Sequence, residues 1–199
     1  LSIFVGLRYY VGTDFETYLI YADEVKGIGY SDALLSLGEP LFGTLMWFSA
    51  NNNLSVYGCN FLVAAFFSFG LVYFASKEKN PWMVLLAAYP YLIIAVAMGY
   101  PGQSAAIGVE FFALKSYEKN NFLQFSILVI IATLFHTSAI CLFFIPLVDA
   151  FFNLNKKSAL RLLALLIPII YIVYRNFSEN IVVYLDFYFG TQYGAVGAF

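Results

Sequence analysis

His136 is the only histidine of the chain, and it lies inside an apolar run, LFHTSAI (134–140). An imidazole in such a place is either a hydrogen-bonded core residue or a proton carrier that works near neutral pH. Other stretches carry side chains that could join it. GLRYYVGTDFETY (6–18) holds Arg8, whose guanidinium suits anions, and Asp14, which either caps a helix over 15–25 or acts on a substrate. GEPLF (38–42) holds Glu39 ahead of Pro40, a position that biases the backbone to an extended form. Its carboxylate either favours the dipole of the next helix or takes part in chemistry. YPGQSAAIGVEFFALK (100–115) holds Gln103 and, seven residues on along one helix face, Glu110, which reads as structural. Arg175 offers a second guanidinium near the end of the chain.

The elements that must position these residues are set by an apolar composition. Apolar residues make up 62% of the chain and charged residues 11%, with a mean hydropathy of +0.80. Soluble domains carry about 45–50% apolar and about 25% charged residues, so the expectation is an all-α polytopic membrane protein. The 22 Phe suit lipid and helix contacts, and the 16 Tyr suit headgroup level and polar cavities. The chain opens on LSIFVG without an initiator Met, which reads as the tail of an upstream helix, and no signal peptide is visible. A missing second half is expected. Cys59 and Cys141 lie in apolar surroundings and read as buried spectators.

Membrane segments are expected at 54–76, 81–99, 101–117, 122–150 and 159–174, after a polar stretch 8–38 and an apolar, interfacial 40–49. Lys77 and Lys79, then Lys115 and Lys119, then Lys156, Lys157 and Arg161 fill three short loops. The positive-inside rule makes those loops cytoplasmic. Residues 8–53, the turn near Tyr100 and the tail 176–199 then face outward, and Glu110 falls toward the cytoplasmic end. Both ends of 122–150 are cytoplasmic on this scheme, so the segment should be a short hairpin. Phe122 to Phe135 gives about 20 Å of helix, against a hydrocarbon core of about 30 Å. Its tip, His136, therefore stops below the outer surface, a depth at which irregular backbone needs a cavity around it. Arg8, Asp14, Glu39, Gln103, His136 and Arg175 thus gather on one side. Ionisable residues so placed usually face a cavity.

Several function classes are excluded. No phosphate-cradling glycine loop, His/Cys metal cluster or nucleophile elbow occurs, so neither a metal nor a cofactor is expected. The outer stretch 8–50 is acidic, with Asp14, Glu16, Asp23, Glu24, Asp32 and Glu39 against Arg8 and Lys26, which does not suit nucleic acid.

Taken in order, these segments resemble the EpsG family, the Wzy-like polymerases of bacterial polysaccharides. The resemblance rests on Gly6 to Tyr9, Gly12 to Asp14 with Tyr18, Gln103 to Ile107, the turn Lys115 to Lys119, and Phe135 to Ala139. It runs over about residues 6–146. One departure is Gly102, where the family usually has Arg before the Gln. If that Arg grips a pyrophosphate, Arg8 or Arg175 must do so here.

The resemblance implies a GT-C-like scaffold with short or re-entrant helices around an outward-facing cavity, in the bacterial cytoplasmic membrane. It implies a metal-independent glycosyltransferase that joins oligosaccharide units carried on undecaprenyl diphosphate. The implied partners are that lipid-diphosphate-linked oligosaccharide, membrane lipids, a chain-length regulator and export machinery. Arg8 would hold the diphosphate, and Asp14 or Glu39 would be the base or orient the acceptor. His136 would position or relay a proton, while Tyr10, Tyr18 and Gln103 would contact sugar. The alternatives are a membrane O-acyltransferase, a transporter or flippase of lipid-linked sugars, and a structural subunit of the export machinery.

Overall fold

A computed structural model describes residues 1–12 and 14–153. The expected span 159–174, the basic residues Lys156, Lys157 and Arg161, the candidate Arg175 and the tail 176–199 lie outside the described residues. Every described element is helical and no strand forms among them, as the all-α expectation requires.

Residues Leu1–Phe143 make one compact unit. In chain order its helices are α1 (Ser2–Gly6), α2 (Phe15–Glu24), α3 (Tyr30–Leu37), α4 (Pro40–Asn51), α5 (Ser55–Ser76), α6 (Pro81–Ala88), α7 (Pro101–Glu118) and α8 (Phe122–Phe135). A π-helical stretch, Tyr89–Ala97, continues α6, and a 3-10 segment, Thr137–Phe143, follows α8. The second unit contributes α9 (Phe144–Asn153), which has Pro146 in its first turn, where a missing N–H costs nothing.

Local chemistry sets the boundaries. Gly38 takes a left-handed conformation (φ 67°) at the end of α3, and Pro40 opens α4 from its first position. Asn80 and Asn121 cap α6 and α8, accepting from Met83 N–H at 3.4 Å and Gln124 N–H at 3.1 Å. Ser49 of α4 ties into the start of α5: its hydroxyl donates to the Ser55 carbonyl and accepts from Cys59 N–H at 2.9 Å. Pro90 lies in the π-helical stretch. Proline removes one backbone donor and crowds the preceding turn, and a wider helix relieves that crowding.

Small residues let the long helices approach. A Cβ built on Gly70 of α5 would lie 2.0 Å from the Gly108 carbonyl oxygen of α7, and one on Gly108 would lie 2.7 Å from the Phe66 oxygen. The two backbones therefore touch at this crossing, the kind of contact that drives helix association in lipid. Gly6 does the same for α1, since its Cβ would come within 2.8 Å of Phe61 Cα. The core beneath is contiguous from Phe42, Met46 and Ala50 of α4 through Val56, Cys59 and Val63 of α5 to Ala105, Ala106, Ala132 and Phe135. The apolar 40–49 stretch thus packs inside this cluster.

The outside is apolar as well. α8 exposes Leu123, Ile127, Ile130 and Leu134 on one stripe, α5 exposes Phe61, Phe66, Phe69 and Val72, and α6 exposes Trp82, Met83 and Leu86. Apolar surface of this extent marks a face built for lipid or a partner. Among the described residues one helix, α5, is long and apolar enough to cross a membrane by itself. The run 81–97 and α8 are shorter apolar helices. The expected break in 122–150 is present, because α8 stops at Phe135 and His136 is extended (φ −157°, ψ 125°).

Lys115, near the end of α7, bonds Glu78 just beyond α5 and Glu118 at 2.8 Å, and its ammonium lies 4.4 Å from the centroid of the Phe74 ring. The C-terminal ends of α5 and α7 are therefore at the same end of the unit, and the two helices run the same way. That agrees with placing the Lys77–Lys79 and Lys115–Lys119 turns on one side.

Candidate active site

The polar residues collect at the other end, around the start of α7. Glu39 occupies the position before α4 with an extended backbone (φ −121°, ψ 94°) and makes no capping bond to it. Its carboxylate turns instead to α8, where Oε1 lies 2.5 Å from His136 Nδ1. An ionised carboxylate only accepts, so Nδ1 carries the proton. The other ring nitrogen, Nε2, has no hydrogen-bond partner among the described residues. The pair is half-buried, with His136 and Glu39 side chains 33% and 23% exposed. It is sheltered, yet open to a ligand.

Gly102 explains why the carboxylate fits there. A Cβ at this position would meet Glu39 Oε2 at 2.9 Å, the Phe135 carbonyl oxygen at 3.3 Å and Phe42 Cγ at 3.6 Å. Glu39 therefore rests against the first turn of α7, whose unpaired N–H end favours negative charge. Gln103, half-buried, is the next residue on that turn. Ser104 is fully buried and its hydroxyl has no partner among the described residues. The loop from α1 to α2 reaches the same place: Gly12 (φ 103°) packs on Met98 and Gly99, just ahead of α7, where a Cβ would lie 3.0 Å from Gly99 Cα.

Arg8 is buried at the head of α5, only 5% exposed. Nη1 donates to the Val5 carbonyl and Nη2 to Asn60 Oδ1, each at 3.0 Å, while Nε has no partner. No carboxylate pairs with this guanidinium among the described residues. A buried cation so left is costly. Tyr18 links the two parts. Its ring lies 5.6 Å from that of Phe42, and its phenol is within electrostatic reach of Arg8, Asp14 and Glu39. Burial first, then Asp14 and Glu39, push the Tyr18 phenol well above its ordinary range, so at pH 7 it remains a neutral donor. Asp14 stands at the N-cap position of α2, yet its side chain makes no capping bond; its backbone carbonyl accepts from Tyr18 N–H at 3.1 Å.

Tyr10 is placed elsewhere. It adopts a left-handed backbone (φ 53°), which bulky residues rarely do. Its hydroxyl donates to Glu16, and losing that bond on ionisation holds the phenol above its usual range. It belongs to an aromatic group with Tyr9 and Phe15, at ring separations of 6.0 and 5.2 Å, rather than to the Glu39–His136 pair.

One sequence reading changes. Cys59 is buried as expected, but Cys141 is exposed in the 3-10 segment. Glu110 lies in the middle of α7, within electrostatic reach of His136. Asn60, unremarked in the sequence, holds Arg8. A lone amide inside a 22-residue apolar helix was the available signal, since such groups in lipid-facing helices usually serve a partner.

A Glu–His pair, a guanidinium without a carboxylate and neutral donors at one end of an apolar helical unit define an all-helical protein with an apolar exterior and a cluster of polar side chains. Within that class the chain belongs to the EpsG family, whose model matches residues 1–197. The family implies a polysaccharide polymerase in general. No curated protein and no solved structure matches the chain.

Proposed function

We propose that this chain is the catalytic part of a membrane polymerase acting at the outer face of the bacterial cytoplasmic membrane. It extends a polysaccharide from oligosaccharide repeat units carried on undecaprenyl diphosphate, on a GT-C-like helical scaffold. The observation that carries this reading is the Glu39–His136 hydrogen bond set beside the unpaired Arg8 guanidinium. One arrangement supplies a base; the other suits a leaving diphosphate.

Glu39 fixes the imidazole with Nδ1 protonated, so Nε2 presents its lone pair. It removes the proton from the acceptor sugar hydroxyl as that oxygen bonds to the donor's anomeric carbon. The bond from that carbon to the diphosphate oxygen breaks, and its electron pair leaves with the lipid diphosphate. Arg8 binds the negative charge that develops there through charge-assisted hydrogen bonds. His136 then returns its proton to water. Between Asp14 and Glu39, the contact with His136 favours Glu39 as the residue that orients the base. Asp14, Tyr18 and Gln103 are left to bind sugar hydroxyls, and Arg175 to a supporting role at the diphosphate.

The test is to give the purified full-length protein lipid-diphosphate-linked repeat units and follow chain length. Elongation is the expected result. Directional movement of the lipid without elongation overturns the polymerase reading in favour of a transporter.

A further inference from the structure

Glu110 is a carboxylate for which the reaction above has no use. It lies eight residues along α7 from Gly102, about 12 Å at ~1.5 Å per residue. It is half-buried and makes no hydrogen bond or ion pair among the described residues. The next charged residues of the helix, Lys115 and Glu118, bond to each other. An unpaired carboxylate in the middle of an apolar helix is costly and marks a functional position.

The helix register gives it a partner. α7 packs along α8, and Gly102 fixes the level of the contact by resting against the Phe135 carbonyl. Glu110 therefore lies deeper than His136 along the same seam. The surroundings offer the ring little other charge. α8 has no ionisable side chain, α4 brings only Glu39 at its head, and the 3-10 segment brings only the thiol of Cys141. Among the described residues His136 is the only charged group within electrostatic reach of Glu110.

We propose that Glu110 is a positioning residue that acts through His136: from the deeper side of the ring, it stabilises the imidazolium formed when the acceptor hydroxyl gives up its proton. Glu39 sets the orientation of the ring by direct bonding, whereas Glu110 acts through space. Its role in elongation rests on the polymerase reading above; the electrostatic pairing itself does not.

The experiment uses the full-length protein in lipid nanodiscs with isotope-labelled histidine. The His136 signal is identified by its loss in His136→Gln. Removing the Glu110 charge withdraws an electrostatic attraction from the imidazolium, so Glu110→Gln should lower the His136 titration midpoint by about half a pH unit or more. Glu110→Asp keeps the charge and should move it by less, which also covers the case in which the Gln variant does not insert. An unmoved midpoint in Glu110→Gln, alongside a shifted one in Glu39→Gln, overturns the proposal. In the elongation assay the acidic limb of kcat/KM should move by the same amount with KM unchanged. A wild-type protein that does not elongate removes the polymerase reading but leaves the titration result standing.

Discussion

The unit has two charged clusters, one at each end of the α5–α7 pair, and they are finished differently. Around Lys115 every demand is met. The ammonium bonds Glu78 and Glu118 and lies over the Phe74 ring, and nothing is left to bind. Around Glu39 and His136 the groups are unsaturated: Nε2 is free of partners among the described residues, Arg8 Nε is orphaned, and the Asp14 carboxylate declines the helix it could cap. Both clusters join distant segments, yet only the second keeps hydrogen-bonding capacity in reserve. A saturated cluster holds helices together, whereas leaving buried polar groups unpaired costs stability, a cost that the proposed substrate role would offset.

The largest effect should come from the unsaturated end. His136→Ala removes the base and should lower elongation by about 10²–10⁴-fold, with insertion and yield unchanged. Arg8→Lys keeps the charge but loses the planar fork, and should fall between wild type and Arg8→Ala. Chain-length analysis on gels checks both. Normal polymer from His136→Ala would make the two clusters equivalent, and both structural.

Gly102 allows a finer break. The site depends on the absence of a side chain where Glu39 rests, so Gly102→Leu should displace the carboxylate from His136. The expected loss in kcat is about 10- to 100-fold, in line with misplacing a catalytic group by about 1 Å. Thermal stability should fall as well, because the Phe135 carbonyl and the Phe42 ring also confine the position, so kcat is read on protein shown to be folded. Unchanged kcat in this variant would mean that the Glu39–His136 bond is not needed for turnover. The residue is also this chain's departure from the usual family Arg, so Gly102→Arg asks whether a guanidinium there can stand in for Arg8.

Much of this fold was legible in the sequence and part of the site was not. Apolar run lengths place α5 and α7, and the starts of α6 and α8, within a residue or two of their expected limits, because those signals are local. The break at His136 followed from the loop charges and the length of the run between them. The pairing of Glu39 with His136 could not be read, since it joins residues 97 apart through a gap that only a glycine leaves open. Arg8 reads as an anion binder from its type, but its anchoring on Asn60 depends on how α1 crosses α5. The approach of Glu110 to His136 could not be read either, because loop charges give the sides of a membrane and say little about depth.

The structural end makes the converse prediction. Lys115→Met keeps the aliphatic stem over Phe74 but removes the bonds to Glu78 and Glu118. Both carboxylates are partly exposed, 36% and 56%, so water takes them back. The loss should be about 1–2 kcal/mol, which lowers Tm in detergent by about 3–6 °C for a unit of this size. Elongation measured well below Tm should be unchanged.

The smallest effect concerns Tyr10, the residue whose membership of the site is sharpened most by a measurement. Its hydroxyl is spent on Glu16 at an exposed position, so Tyr10→Phe should leave stability nearly unchanged and chain length within about twofold of wild type. Tyr10→Ala removes the ring as well. A clear loss of elongation in the alanine variant with none in the phenylalanine variant would show the ring, tilted against Phe15, to be a contact for sugar. Equal and small effects in both would return Tyr10 to the surface and confine the unsaturated cluster to Arg8, Asp14, Tyr18, Glu39 and His136.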